Sequence, residues 1–227
     1  MARTKAPDFE AQREQILELA ATAFAASSYP STSMADLAAA CGTSKARLYH
    51  YYESKEAILF DLLDRYTRRL MLIVTEVDAE AERRHLDDRA RFANLIRAFL
   101  AEYENSQTRH IALINDVKFL AEAQRDLILK RERDVVSAFS RLLRLAYPER
   151  VTRDNQTALT MTVFGMINWT FTWLKPGGRL SYADFAEIVI ELLAGGLPAA
   201  AAAAGQPLTG GDEVRLAIGA GKTQAGR

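Results

Sequence analysis

Between Phe9 and Trp173 the chain holds very little glycine or proline, and its apolar residues recur three and four positions apart. That interval puts them on one stripe of an α-helix, whereas the alternation of a half-buried strand is rare. The pattern predicts an all-α protein. A first helix is expected from about Phe9 to Ser27, with Ile16, Ala20, Ala23 and Phe24 facing inward. Ser33 and Asp36 form a capping-box pair that opens a second helix, along which Met34, Leu37, Ala38 and Cys41 share one face. Gly42 supplies a turn. A third helix is expected from about Ser44 to Tyr51, and Ser54 then caps a long fourth reaching towards His85.

The remainder repeats this grammar on a larger scale. Helices are expected from Asp87 or Asp88 to Glu104, from Ile111 to Leu120, from Ala123 to Tyr147 and from Thr152 to Trp173. After the turn Lys175-Pro176-Gly177-Gly178, Ser181 and Asp184 cap a last helix expected to end at Gly195-Gly196. From Pro198 the Ala/Gly-rich tail lacks large apolar residues, so disorder is expected over 198–227. The organisation expected is a small N-terminal domain over residues 10–70 and a larger helical domain over 71–197.

Bulk properties exclude several function classes. With 227 residues and 49% apolar content the chain can bury a substantial core. Formal net charge is zero, and the six basic and six acidic residues up to Lys55 cancel, so a nucleic-acid role must rest on where charge sits. The single cysteine, Cys41, rules out an intrachain disulfide or multi-cysteine metal site, and its inward position suits a small core residue. The most apolar stretch, Ala158 to Leu174, is broken by threonines, Gly165 and Asn168, which fits a buried helix better than a membrane span. No apolar leader follows Met1, so a cytoplasmic location is expected. The three histidines, His50, His85 and His110, are dispersed, and no nucleophile, base or metal ligands converge, so enzyme activity is not expected.

Two short helices joined at a glycine, the second bearing groups suited to base edges and phosphates, are the layout of a helix-turn-helix DNA reader. Glu14 to Leu63 moreover resembles the DNA-binding domain of the TetR family of bacterial repressors. The resemblance is carried by Ile16-Leu17-x-x-Ala20-x-x-x-Phe24, by Thr32-Ser33-Met34-x-x-Leu37-Ala38, and by Gly42-x-Ser44-x-x-x-Leu48-Tyr49-x-Tyr51-Tyr52-x-Ser54-Lys55-Glu56-x-Ile58-Leu59. Two departures are a tyrosine at Tyr52, where phenylalanine is commoner, and a Ser28-Tyr29-Pro30 loop lacking the usual glycine.

The resemblance implies a homodimer that binds a palindromic double-stranded operator, with Lys45, Ala46, Arg47, Tyr49 and His50 facing bases. Arg47 is the first choice for base readout, since arginine pairs bidentately with guanine, and Ala46 suits a thymine methyl. Tyr51 and Lys55 match the family's phosphate contacts, and Thr32, Ser33, Thr43 and Ser44 are hydroxyl groups placed to clamp the backbone. Ser33 and Ser44 read equally as plain helix caps, Tyr52 reads better as core, and Tyr49 reads either way.

The resemblance also implies repression relieved by a small-molecule effector, with no cofactor. The segment Asn168-Trp169-x-x-x-Trp173-x-x-Pro176-Gly177-Gly178 is similar to regulators of fatty-acid, steroid and aromatic-acid catabolism, several of which respond to acyl-CoA thioesters. Phe119, Phe139, Phe164, Asn168, Trp169 and Trp173 are the candidate pocket residues, although an aromatic stripe also suits a core or dimer seam. Arg83, Arg84, Arg89, Arg91, Arg109, His110, Lys118 and Arg125 are candidate cations for CoA phosphates, although arginine-rich helix faces with acidic neighbours are commonly solvated. The alternative is a regulator of efflux or stress genes sensing a lipophilic, drug-like ligand. A helical adaptor without DNA specificity would show no preference for a palindrome.

Overall fold

The computed structural model describes residues 5–204, with side chains from Phe9 to Gly196. The described chain is helical, without strands: α1 (Lys5–Ser27), α2 (Met34–Ala40), α3 (Lys45–Tyr51), α4 (Lys55–Arg83), α5 (Asp88–Asn105), α6 (Gln107–Asp116), α7 (Glu122–Ala146), α8 (Gln156–Asn168), α9 (Thr170–Trp173) and α10 (Tyr182–Ala204), with a 3₁₀ turn at Val117–Phe119 after α6. No described helix is long and apolar enough to cross a membrane.

Local chemistry sets the N-terminal helices. The Ser33 hydroxyl accepts from the Asp36 amide while the Asp36 carboxylate accepts from the Ser33 amide at 2.8 Å, a complete capping box. α2 ends in a Schellman arrangement, in which the Thr43 amide donates to Ala38 and the Gly42 amide to Ala39. Gly42 takes the left-handed conformation there (φ 61°), which a residue without Cβ adopts freely. Ser28, at the end of α1 where the family pattern has glycine, is also left-handed (φ 67°), so the backbone keeps the bend at some steric cost.

The core is continuous from α1 to α10. α4 passes unbroken through the expected boundary between residues 70 and 71, burying Ile58, Leu62, Tyr66, Leu70 and Ile73 along one stripe. It packs against α5 and α7, while α1 packs against both α4 and α6. Leu48 is the sole buried residue of α3, and Ser44 caps that helix by accepting from the Arg47 amide. Truncating such a fully buried leucine costs about 2–5 kcal/mol.

Several boundaries differ from the sequence expectation. α6 starts at Gln107 rather than Ile111, because only a single residue, Ser106, separates it from α5. The expected helix from Thr152 to Trp173 starts at Gln156 and breaks at Trp169. There the Asn168 carbonyl accepts from His110 Nε2 at 3.2 Å, and the Thr172 amide turns to Trp169 instead. Finally, α10 does not stop at Gly195-Gly196 but runs on to Ala204, through an alanine run of the highest helix propensity. The disorder expected over 198–227 falls mostly on residues outside those described.

Candidate nucleic-acid interface and effector cavity

α3 turns Leu48 inward and leaves Lys45, Ala46, Arg47, Tyr49 and His50 exposed. These are the residues expected to face bases. Tyr49 is 45% exposed, with the Lys45 ammonium 5.9 Å from its ring centre. Arg47 stands at the edge of the face, over a crevice shared with Gln12, Gln15 and Tyr51. Tyr51 is half-buried and stacks on Phe9 at 4.9 Å.

A charged clamp holds this surface in place. The Asp61 carboxylate of α4 accepts from the Tyr52 hydroxyl at 2.6 Å, from Arg13 at 2.8 Å and from Arg65 at 3.0 Å. Burial alone would raise the Asp61 carboxyl, but the Tyr52 and Arg65 hydrogen bonds and the Arg65 and Arg13 charges bring it below its ordinary range. Tyr52 is 4% exposed, so it is a core residue, and its hydroxyl gives a reason for tyrosine in place of phenylalanine.

Several expected phosphate contacts are already occupied within the protein. The Thr32 hydroxyl is buried and donates to the Ser28 carbonyl at 2.9 Å. The Ser33 hydroxyl donates to Asp36 at 2.7 Å while capping α2. Lys55 is not a free cation: its ammonium donates to the Tyr29 and Thr32 carbonyls, each at 2.7 Å, and lies 4.3 Å from the Tyr29 ring centre. Lys55 therefore ties the loop before α2 to the start of α4. Thr43 and Ser44 remain at the surface near the recognition face, half-buried and exposed respectively.

In the larger domain, α4, α5, α6, α7 and α8 enclose a cavity of about 210 Å³. Phe164 and Asn168, one helical turn apart on α8, line it together with Tyr103, His110, Arg131 and Glu132. The other expected pocket residues lie elsewhere. Phe139 is buried core, stacked edge-on against Phe99 at 4.7 Å. Phe119 stacks on Tyr29 at 5.3 Å, at the junction with α1. Trp169 and Trp173 are 57% and 50% exposed and do not line the cavity.

The polar groups of the cavity form a chain. A carbonyl only accepts, so His110 Nε2 carries the proton given to Asn168 O, and Nδ1 accepts from the Tyr66 hydroxyl at 3.2 Å. Tyr103 donates to Asn168 Oδ1 at 2.9 Å and stacks on the His110 ring at 4.1 Å. Burial pushes the His110 imidazole down to about 4, against which the Asn168 hydrogen bond works only in part. Arg131 pairs with Asp64 at 2.5 Å. Burial raises the Glu132 carboxyl above its ordinary range, with Arg133 opposing. Tyr103, His110, Arg131 and Glu132 were not legible as neighbours, since their helices meet only in the folded core.

The remaining candidate cations are largely committed. Arg83 and Arg84 pair with Glu80, Arg91 with Asp78, and Arg89 donates to the Ala146 carbonyl. Arg109 bridges from α6 to Glu14 and Glu18 of α1. His110 is buried and held neutral. No cluster of His, Cys, Asp or Glu suited to a metal occurs among the described residues.

Comparison with known proteins gives two family matches. Residues 16–62 match the model described as bacterial regulatory proteins of the tetR family, and residues 85–197 match a tetracycline repressor-like C-terminal domain. The KstR2 transcriptional repressor of Mycolicibacterium smegmatis is 26% identical over 206 residues, spanning 85% of this chain and 95% of the relative. A TetR-family transcriptional regulator from Bordetella parapertussis is 35% identical, with a TM-score of 0.75 over 80% of this chain and 93% of that one. The structure of AibR in complex with isovaleryl coenzyme A and operator DNA has a TM-score of 0.69 at 24% identity, over 80% and 97% of the two chains, and shares the fold.

Proposed function

Because the chain belongs to the TetR family of bacterial regulatory proteins, DNA-binding transcriptional repressors and not enzymes, we propose that it grips a palindromic operator as a homodimer and lets go when an acyl-CoA thioester binds. The observation that carries this reading is the face of α3, on which every side chain but Leu48 and Tyr51 is exposed. Lys45, Arg47, Tyr49 and His50 offer donors and rings to the major groove, Ala46 offers a methyl, and Thr43 and Ser44 meet phosphates beside them. Lys55 positions the loop, and the amides at the start of α4 face the phosphate in its place.

Pairing is assigned to α8, α9 and α10. Gly165, Trp169 and Trp173 recur every fourth residue and are exposed, as are Ile188 and Leu192 one turn apart on α10. An apolar face of this kind on a soluble regulator marks a protein contact, and a second copy presents the same face. Dimerisation there carries two α3 helices to successive major grooves, about 34–36 Å apart.

The effector reading rests on the partly open cavity and on the structural likeness to AibR, whose complex contains isovaleryl coenzyme A. A cavity of about 210 Å³ lies below the roughly 300–1,000 Å³ typical for whole drug-sized ligands, which disfavours the drug-sensing alternative. α6 forms one wall through His110 and Leu113, and it holds α1 through Arg109, Glu14 and Glu18. A ligand that displaces α6 would therefore shift α1 and alter the spacing of the α3 pair, which is release. The test is a titration of the dimer on DNA from its own upstream region, against unrelated duplex, with and without isovaleryl-CoA. Preference for the upstream DNA and its loss with the thioester support the reading, whereas equal affinity for both duplexes overturns it. Action in the cytoplasm follows from a DNA target.

A further inference from the structure

The cavity lies beneath a short entrance where Ile114 of α6 and Met161 of α8 are 37% and 54% exposed. Its deeper walls are apolar, with Leu70, Leu113, Val135 and Phe164 contributing. Its charges are arranged in a way that discriminates against one class of ligand. Arg131, the cation on the wall, is held by Asp64 and also donates to Thr67 at 3.3 Å, so its charge is balanced within the protein. Glu132 is half-buried and faces Tyr103, whose phenol it helps to raise after burial has done most of the work. Neither His110 nitrogen is free to serve an anion, since one donates to Asn168 and the other accepts from Tyr66.

One donor is left. Asn168 lines the cavity with its side-chain oxygen occupied by Tyr103 and its main-chain oxygen by His110, which leaves the two N–H groups of its amide nitrogen available to a ligand. An uncharged carbonyl oxygen accepts from such a group. A carboxylate arriving there would be stripped of water beside Glu132, where the lining cation Arg131 is already paired with Asp64.

Resting on the effector reading above, we propose that this cavity selects a short, uncharged acyl group by a hydrogen bond from Asn168 to its carbonyl, and that Glu132 rejects the corresponding free acid. The cavity volume of about 210 Å³ limits the acyl end to a short chain, so the remainder of a thioester extends past Ile114 and Met161. The protein would then report on activated acyl groups and ignore the acids from which they are made. Recognition is by the carbonyl and the apolar end, so a thioester without the nucleotide half of coenzyme A retains measurable affinity.

The experiment is calorimetric titration of the full-length dimer with four probes: the uncharged N-acetylcysteamine thioester of butanoic acid, the same thioester of hexadecanoic acid, sodium butanoate, and butanoyl-CoA. The butanoyl thioesters are expected to bind, with butanoate at least about tenfold weaker, which is one decade of dissociation constant. The hexadecanoyl thioester is expected to bind more weakly than its short homologue. Glu132→Gln, which keeps the shape and removes the charge, is expected to narrow the gap between thioester and butanoate several-fold while leaving the melting temperature close to the parent's. Butanoate binding as tightly as its thioester, or an unchanged gap in Glu132→Gln, overturns this inference and leaves the effector reading standing. Binding of none of the four overturns both.

Discussion

Acidification tests the buried network through a residue with a calculable effect. His110 is 3% exposed, and its imidazole is pushed down to about 4 from the ordinary 6.5. The unfolded chain therefore takes up a proton at this position more readily than the folded one. The stability contributed is fully present above about pH 6.5, declines as pH falls, and is lost by about pH 4. Over that whole interval the linkage amounts to about 3 kcal/mol, and between about pH 7 and about pH 5 it amounts to about 2 kcal/mol. For a chain of this size that is a fall of very roughly 4–8 °C in melting temperature, provided protomer concentration is fixed. His110→Gln supplies the control, because its amide can donate towards Asn168 and accept from Tyr66 without titrating. Urea unfolding of parent and variant at both pH values gives two slopes. The parent is expected to lose about 2 kcal/mol more than His110→Gln on acidification. Equal losses would show that His110 is solvated or already charged in the folded protein, and the account of the cavity wall would fail.

Three other substitutions probe separate links. Arg47→Ala is expected to relax sequence choice at one base pair per half-site at a cost of about 1–3 kcal/mol; equal weakening on operator and random duplex would make Arg47 a phosphate contact. Arg109→Ala removes the bridge from α6 to Glu14 and Glu18. The Glu14 and Glu18 side chains are 43% and 57% exposed, so the stability loss should stay near about 1 kcal/mol, while effector-driven release of DNA weakens; unchanged release would exclude this bridge from the relay. Ser28→Gly relieves the left-handed strain at φ 67° and is expected to raise stability by up to about 1 kcal/mol in thermal or urea melts; destabilisation would mean that the Ser28 side chain matters more than its backbone.

What could be read from the sequence was what local chemistry dictates. Ser33 and Asp36 announce a capping box and Gly42 a left-handed turn, and both are formed. Leu48 among polar neighbours announces a short helix with one anchor, and α3 has that anchor. Illegible were the features decided by which helices meet. The break at Trp169 depends on His110, fifty-odd residues earlier, drawing away the Asn168 carbonyl. Trp169 and Trp173 are exposed, so the aromatic stripe reads as surface rather than pocket. The four-residue spacing of Gly165, Trp169 and Trp173, set against Phe164 and Asn168, carried that division, but only the fold says which stripe faces the cavity. Lys55 read as a phosphate contact by resemblance, because sequence does not show the carbonyls of Tyr29 and Thr32 accepting from it.

The most direct test of the account moves one half-site of the operator relative to the other. Two α3 helices fixed in one dimer need their half-sites about one duplex turn apart, so inserting about 5 base pairs at the centre puts one of them on the opposite face of the DNA. Measured by gel shift or fluorescence anisotropy, affinity is predicted to fall close to that for random duplex and to recover when about 10 base pairs are inserted only if the dimer can span the longer site. Undiminished binding to the half-turn insertion would contradict a rigid pair of α3 helices reading a palindrome.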